Sequence, residues 1–154
     1  MGNLLIAKNP AIECTTSRFI FNICLSEWGF PLRGNDKVMP DFQMIDTAKL
    51  KSMLDAKEDF LLVDTLGKES YDQRHVPGAV CIDGHDDDFV AEVTKAVNGD
   101  KNKTVVTYCA SETCQLSPTS CRKLVAAGFT KVFDYHNGIA GWMDAGNRVE
   151  GSAA

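Results

Sequence analysis

The chain has 154 residues, of which 44% are hydrophobic, and it carries a formal net charge of -5. This length fits one domain of ordinary size with a modest extension, and the apolar fraction excludes a disordered chain. No run of about 18 apolar residues predicts a membrane span. The negative charge argues against nucleic acid or an anionic membrane as a partner.

The start of the chain and its cysteines indicate a reducing compartment. Residues 1–7 are apolar, but the run is short and no basic region precedes it, so we predict no signal peptide and a cytoplasmic protein. The six cysteines are then expected to be reactive thiols, metal ligands or buried hydrophobic side chains rather than disulfide partners.

Residues 1–40 differ from the rest of the chain and are predicted to be an extension with its own linker. Apolar side chains in the stretch 18–28 would surround a helix on every side, which favours burial against another surface. A homodimer formed through this helical extension is therefore one expected arrangement. The Gly, Pro and Asn residues of 29–40 are typical of a linker. We place the main domain at 41–148 and a tail at 149–154.

From residue 42 onward, strand and helix patterns alternate. Apolar runs at 42–45, 60–63, 104–108 and 131–133 predict strands, and the segment 76–82 predicts a turn that leads into another strand. Strands that alternate with helices in this way are typical of an α/β fold. We expect a three-layer sandwich, with helices on both faces of a mostly parallel central sheet.

The predicted helices begin at recognisable capping residues. Asp46 is expected to cap the first helix, and Asp87 or Asp88 to open the third. Ser117 and Pro118 are expected to form the N-cap and first turn of the fourth helix. Short helices are predicted around residue 71 and near 139–143.

Cys109 is the leading candidate for a catalytic side chain. It directly follows the predicted strand 104–108 and precedes the helix expected at Ser117, and open parallel sheets bind ligands at the carboxyl ends of their strands. Inward-pointing loop amides and the helix N-terminus would stabilise an anion there, so we expect a lowered thiol pKa and a nucleophilic thiolate. The loop that would supply these amides comprises Ala110, Ser111, Glu112, Thr113, Cys114 and Gln115.

Four segments in the expected order resemble the rhodanese-like domain. These are the strand 61–64 (LLVD), the turn 74–80 (RHVPGAV), the strand and cysteine 105–109 (VVTYC) and the closing segment 137–142 (NGIAGW). The resemblance implies a compact α/β fold and a single-domain sulfurtransferase that carries sulfur as a persulfide on Cys109. It also implies that Asp64 and His75 support the framework of the site rather than take part in the chemistry. No cofactor and no metal are implied.

The sequence departs from that family pattern at positions that affect the choice of sulfur donor. Leu66 occupies a position where such proteins often carry Arg, and Asn137 replaces the first Gly of the closing segment. The loop after Cys109 has no basic residue and one acidic residue, Glu112. A dianion such as thiosulfate would therefore gain little there, and we expect polysulfide, a small persulfide or a protein persulfide as donor, with a thiol or cyanide as acceptor.

Cys114, in the same loop as Cys109, leaves three alternatives open. It can be a resolving thiol that closes a disulfide with Cys109, an inert side chain, or a metal ligand together with Cys109 and either His85 or His136. The other four cysteines lie in apolar surroundings and are predicted to be buried: Cys14, Cys24, Cys81 and Cys121.

Two further function classes remain as alternatives. Phosphatases of similar fold use an Arg six residues after the nucleophilic cysteine, but that position is Gln115 here, so phosphoryl transfer is disfavoured. A non-catalytic module for protein interaction or redox sensing is the other alternative, using Cys109 and Cys114 or the extension. The cysteine at the end of the strand favours an enzyme over such a module.

Overall fold

A computed structural model describes residues 42–154. The predicted extension and its linker, the expected dimer contact, Cys14 and Cys24 lie outside the described residues. Among the helices that are described, none combines the length and the apolar character needed to cross a membrane.

The described chain alternates strands and helices. The strands are β1 (Gln43–Ile45), β2 (Phe60–Asp64), β3 (Val80–Cys81), β4 (Thr104–Tyr108) and β5 (Val132–Tyr135). The helices are α1 (Thr47–Asp55), α2 (Lys68–Gln73), α3 (Phe89–Ala96), α4 (Leu116–Ala126) and α5 (Gly138–Asp144).

The five strands form one parallel sheet in the order β1-β5-β4-β2-β3. β4 lies at the centre of the sheet, and its last residue, Tyr108, is in register with Asp64 of β2 and Tyr135 of β5. The carboxyl ends of all five strands therefore meet at one edge, where the loop after β4 begins.

Side chains of the central strands alternate between two buried layers. Val105 packs in one layer with Phe89 of α3 and Leu124 of α4. Val106 packs in the other layer with Leu50 of α1, and Trp142 of α5 belongs to that same layer. Helices thus cover both faces of the sheet, which confirms the predicted α/β fold with three layers.

The start of α1 agrees with the sequence-based prediction, and the start of α4 does not. Asp46 caps α1 as predicted, because its carboxylate accepts a hydrogen bond of 2.8 Å from the Lys49 amide. The expected N-cap at Ser117 is wrong, since α4 begins at Leu116 and its N-cap position is Gln115. Ser117 lies in the first turn of α4, and its hydroxyl contacts other side chains instead of capping the helix.

The last residues of the chain pair with the end of α2 and with His75, which follows it. His75 and Glu150 form an antiparallel bridge, in which the His75 amide donates to the Glu150 carbonyl at 2.8 Å. The amides of Ser152 and Ala153 donate to the carbonyls of Asp72 and Gln73. The predicted tail is therefore attached to the main domain by backbone hydrogen bonds.

Candidate active site

Cys109 follows the central strand directly, and its loop is held against the start of α5. The amides of Ile139 and Ala140 donate to the carbonyls of Cys109 and Ala110 at 2.9 and 3.0 Å. Gly138 makes this approach possible, because a Cβ atom there would lie 2.5 Å from the Cys109 carbonyl oxygen and 2.6 Å from the Ser111 nitrogen. The loop and α5 therefore form one packed unit around the cysteine.

The Cys109 sulfur is enclosed by the loop and by the first turn of α4. Two backbone carbonyls face it as acceptors of the thiol proton, Ser111 at 3.6 Å and Cys114 at 3.5 Å, and the Ser117 hydroxyl lies 3.3 Å away. Only 1% of the residue's surface is exposed. The thiol is therefore nearly inaccessible to solvent in this conformation.

Burial dominates the acid–base behaviour of Cys109. Removal from water raises the pKa of the thiol, the Ser117 hydroxyl and backbone N–H lower it, and the neighbouring Cys114 thiol raises it again. The expectation of a lowered pKa is therefore wrong for this conformation, because the effect of burial on the thiol outweighs the hydrogen bonds that Ser117 donates. The amide and hydroxyl donors come from Ser117, at the start of the helix.

The residues of the loop 110–115 hydrogen-bond to one another, and none of them places a positive charge next to the sulfur. The Ser111 and Thr113 hydroxyls hydrogen-bond each other at 3.1 Å, and the Cys114 amide closes a turn onto the Ser111 carbonyl at 3.0 Å. The loop residues with exposed surfaces are Ala110, Glu112, Thr113 and Gln115. The exposed side of the loop is thus neutral to acidic, while its inner side is backbone.

Beneath the loop, Ser117 connects Cys109 to a buried carboxyl group. The Ser117 hydroxyl lies 2.6 Å from Asp134 Oδ1, and Asp134 is completely buried. Within residues 42–154, the second carboxyl oxygen, Oδ2, has no hydrogen-bond partner. Burial raises the pKa of Asp134, while the Ser117 hydrogen bond and the charges of His136 and Arg122 lower it.

Sequence reasoning missed the role of both residues. Ser117 was assigned to the helix cap, which is where a Ser before a Pro is most often found. Asp134 offered a signal that could have been used, since an Asp in the middle of the buried strand VFDY needs a partner.

The carboxyl group of Asp64 supports the end of β4 rather than the sulfur itself. Its Oδ2 accepts from the Tyr108 hydroxyl at 2.7 Å, its Oδ1 accepts from the Leu66 amide at 2.9 Å, and the Tyr108 hydroxyl in turn accepts from the Val76 amide at 3.1 Å. Burial raises the pKa of Asp64, and these hydrogen bonds lower it. His75 stacks on the Tyr71 ring at 3.8 Å and places its Nδ1 2.7 Å from the Tyr71 carbonyl oxygen.

Cys121 and Cys81 differ in burial. Cys121 is buried as predicted, lies 3.0 Å from the Thr107 hydroxyl, and burial raises its pKa to about 12. Cys81 is partly exposed rather than buried, at the short edge strand β3. In the part of the chain that the structure describes, no three His, Cys, Asp or Glu side chains are grouped to hold a metal ion.

Comparisons with known proteins agree with this geometry. A model of the rhodanese-like domain matches residues 46–145. The rhodanese-like domain of an Anabaena protein is 25% identical, with a TM-score of 0.63, covering 75% of this chain and 81% of that one. A Bacillus halodurans protein of 22% identity has a TM-score of 0.64 and covers 89% of this chain and 88% of that one.

A larger protein shares the fold over part of its length. Thiosulfate sulfurtransferase from Pseudomonas aeruginosa is 23% identical with a TM-score of 0.64, and the match covers 71% of this chain but 20% of that one. No curated protein sequence matches the chain.

Proposed function

Because the chain belongs to the rhodanese-like domain family, we propose that it is a sulfurtransferase that carries a sulfane sulfur as a persulfide on Cys109. The observation that carries this proposal is the position of the Cys109 sulfur. It lies directly after the central strand, enclosed by a loop of its own and 3.3 Å from a hydroxyl at the start of α4.

In the proposed reaction, the Cys109 thiolate attacks the outer sulfur of a donor R–S–S⁻. The new bond joins the Cys109 sulfur to the sulfane sulfur, the donor S–S bond breaks, and R–S⁻ leaves with the bonding electron pair. A thiol or cyanide acceptor then takes the sulfane sulfur by the reverse kind of attack and returns Cys109 to its thiolate. No external oxidant is needed, because the sulfane sulfur is already at the required oxidation level.

The charges around the loop favour a donor that needs no cationic clamp. The loop 110–115 contains no Lys or Arg, and Asp134 lies buried on the inner side of Ser117. Thiosulfate carries a charged sulfonate group that such a site has no cationic clamp to hold, whereas polysulfide, a small persulfide or a protein persulfide needs no such clamp. We therefore propose one of these latter donors.

Intact mass after exposure to sulfur donors tests the proposal directly. The protein is incubated with polysulfide and, separately, with thiosulfate, and we expect a gain of about 32 Da with polysulfide that is absent in Cys109→Ser. Cys81→Ser is the matched control, because that cysteine lies on the edge strand β3 and the variant should still gain the sulfur. No gain from any donor, with a native fold, would leave a non-catalytic binding module as the better description.

A redox function for Cys109 and Cys114 is the second candidate. It is favoured by the position of Cys114 beside Cys109, since the Cys114 carbonyl lies 3.5 Å from Cys109 Sγ and the Cys114 thiol raises the pKa of Cys109. In that case Cys114 attacks the sulfur-loaded Cys109, a disulfide forms and hydrosulfide leaves. The same mass measurement would then show a loss of about 2 Da instead of a gain, and Cys114→Ser would abolish the loss.

A further inference from the structure

The Ser117 hydroxyl is shared between the nucleophile and a buried acid. Its oxygen lies 3.3 Å from Cys109 Sγ and 2.6 Å from Asp134 Oδ1. A hydroxyl has one proton, so it cannot donate to both neighbours at once. At any moment, Ser117 can therefore donate to only one of these two neighbours.

Two arrangements of the singly charged cluster use both contacts as hydrogen bonds. In the first, the Cys109 thiol donates to Ser117, and Ser117 donates to the ionised carboxylate of Asp134. In the second, a protonated Asp134 donates to Ser117, and Ser117 donates to the Cys109 thiolate. The two arrangements have the same heavy-atom positions and differ only in where two protons lie.

We propose that Ser117 and Asp134 form a proton relay that removes the thiol proton of Cys109. The inference rests on the proposed function, in which Cys109 must become a thiolate before it attacks. The S–H bond breaks as a bond forms from that proton to Ser117 Oγ, and the Ser117 O–H bond breaks as its proton joins Asp134 Oδ1. The electron pair stays on sulfur, and one negative charge moves from the carboxylate to the thiolate.

Burial explains why a relay suits this site better than loss of the proton to water. Asp134 and Ser117 are buried to 1% exposure or less, and so is Cys109. Two anions in such a place would be costly, whereas an exchange of one charge inside the cluster leaves the total unchanged. Ser117 touches the reacting sulfur and is the catalytic residue of the pair, and Asp134 acts through it as a positioning residue.

The sheet holds the acceptor in place. Asp134 is in register with Thr107, two residues before Cys109 on the neighbouring strand, and its carboxyl group is therefore fixed relative to the end of β4. Four other titratable groups act on the pair: Cys114 from the loop, Cys121 and Arg122 from α4, and His136 after β5. His136 Nδ1 lies 4.0 Å from Asp134 Oδ2, beyond hydrogen-bond distance.

The test measures how fast Cys109 is alkylated by iodoacetamide from pH 4.5 to 10, with peptide mass spectrometry to follow that cysteine alone. All variants carry Cys114→Ser, so that the second loop thiol does not titrate. The relay predicts two steps in the rate, separated by a plateau on which the rate changes less than about twofold per pH unit. The plateau arises because a fixed fraction of the singly ionised pair is thiolate.

Asp134→Asn keeps the shape of the side chain but cannot take the proton. We expect one step in this variant, with a rate that falls about tenfold for each pH unit below the thiol pKa. Ser117→Ala leaves the carboxyl group but removes the hydroxyl that stabilises the thiolate in the singly ionised pair, so it should also lose the plateau. Asp87→Asn removes an exposed carboxylate on another loop and should keep both steps.

A single step in the parent protein, or two unchanged steps in Asp134→Asn, would overturn the relay. Alkylation needs no sulfur donor, so its outcome is independent of the mass gain that tests the transferase. A mass gain with a single-step profile would reject the relay and keep the transferase. Two steps in the alkylation profile without any mass gain would reject the transferase and keep the relay.

Discussion

The hydroxyl of Tyr108 donates a 2.7 Å hydrogen bond to the buried carboxyl group of Asp64 and accepts another from the amide of Val76. A single phenol therefore joins the ends of β2 and β4 to the turn before β3, one residue away from the proposed nucleophile.

Removal of the Tyr108 hydroxyl should destabilise the folded protein. Tyr108→Phe leaves a buried amide and a buried carboxyl oxygen without their partner, and we expect a loss of roughly 2–3 kcal/mol in the free energy of unfolding, measured with urea. Tyr71→Phe is the control. The Tyr71 hydroxyl donates a hydrogen bond of 2.7 Å to the Ala79 carbonyl at a partly buried position, so its removal should lower the free energy of unfolding by less than about 1 kcal/mol. Equal losses in the two variants would contradict the proposed role of Tyr108.

Asp134 should make stability depend on pH with a definite sign. Burial raises its pKa above the ordinary 3.8, so the folded protein binds this proton more tightly than the unfolded chain does. The stabilisation is complete below the ordinary pKa and is lost as the pH rises through the folded-state pKa. Asp134→Asn does not titrate, so its stability relative to the parent should increase by up to about 1.4 kcal/mol per pH unit across that window.

Urea unfolding of both proteins between pH 4 and 7 checks this expectation. Asp64 also has a raised pKa and Asp83 a lowered one, but both are present in the two proteins and cancel in the difference. A stability difference that stays constant, or that shrinks as the pH rises, would show that the carboxyl group is not held in the buried state described here.

Gly138 should be essential for the position of the loop. Gly138→Ala places a Cβ atom 2.5 Å from the Cys109 carbonyl oxygen at a residue whose φ is +63°. We expect a loss of about 1–3 kcal/mol in stability and at least a tenfold slower gain of sulfur from polysulfide, because the loop must shift away from α5. Gly146→Ala has a similar φ of +71° but meets no atom within 4 Å, so it tests the backbone strain alone. Equally slow sulfur loading in both variants would exclude the contact as the cause.

The cysteines should differ sharply in reactivity while the protein is folded. Cys121 is completely buried and burial raises its pKa to about 12, so it should remain unmodified by iodoacetamide at pH 8. Cys114 and Cys81 are partly exposed and should be alkylated within the same time. Peptide mass spectrometry distinguishes the sites, and early modification of Cys121 in the native protein would show that α4 opens more readily than its packing indicates.

The sequence was a good guide to the elements that build the domain. Apolar runs predicted the strands because parallel strands are buried on both faces, and Asp46 predicted the start of α1 because its carboxylate caps the backbone directly. Cys109 was placed correctly at the end of β4 for the same reason, since its position depends only on the local strand pattern.

The contacts around the sulfur could not be predicted in the same way. Whether a loop turns carbonyls or amides inward depends on backbone angles that residues such as Ser111 and Cys114 do not dictate. The pairing of Ser117 with Asp134 joins residues 17 positions apart, and it exists only because α4 packs against β5. Tertiary packing, rather than local propensity, therefore determines the acid–base properties of the site.

The alternation of Val105 and Val106 between two separate layers anchors β4 from both sides. Its amide protons should consequently be among the last in the domain to exchange with solvent, whereas those of the loop 110–115 should exchange early. Cys109 lies between the strand, where exchange should be slow, and the loop, where exchange should be fast. In the proposed sulfur transfer, the loop can therefore change its conformation around a sulfur donor while the strand before Cys109 keeps its place.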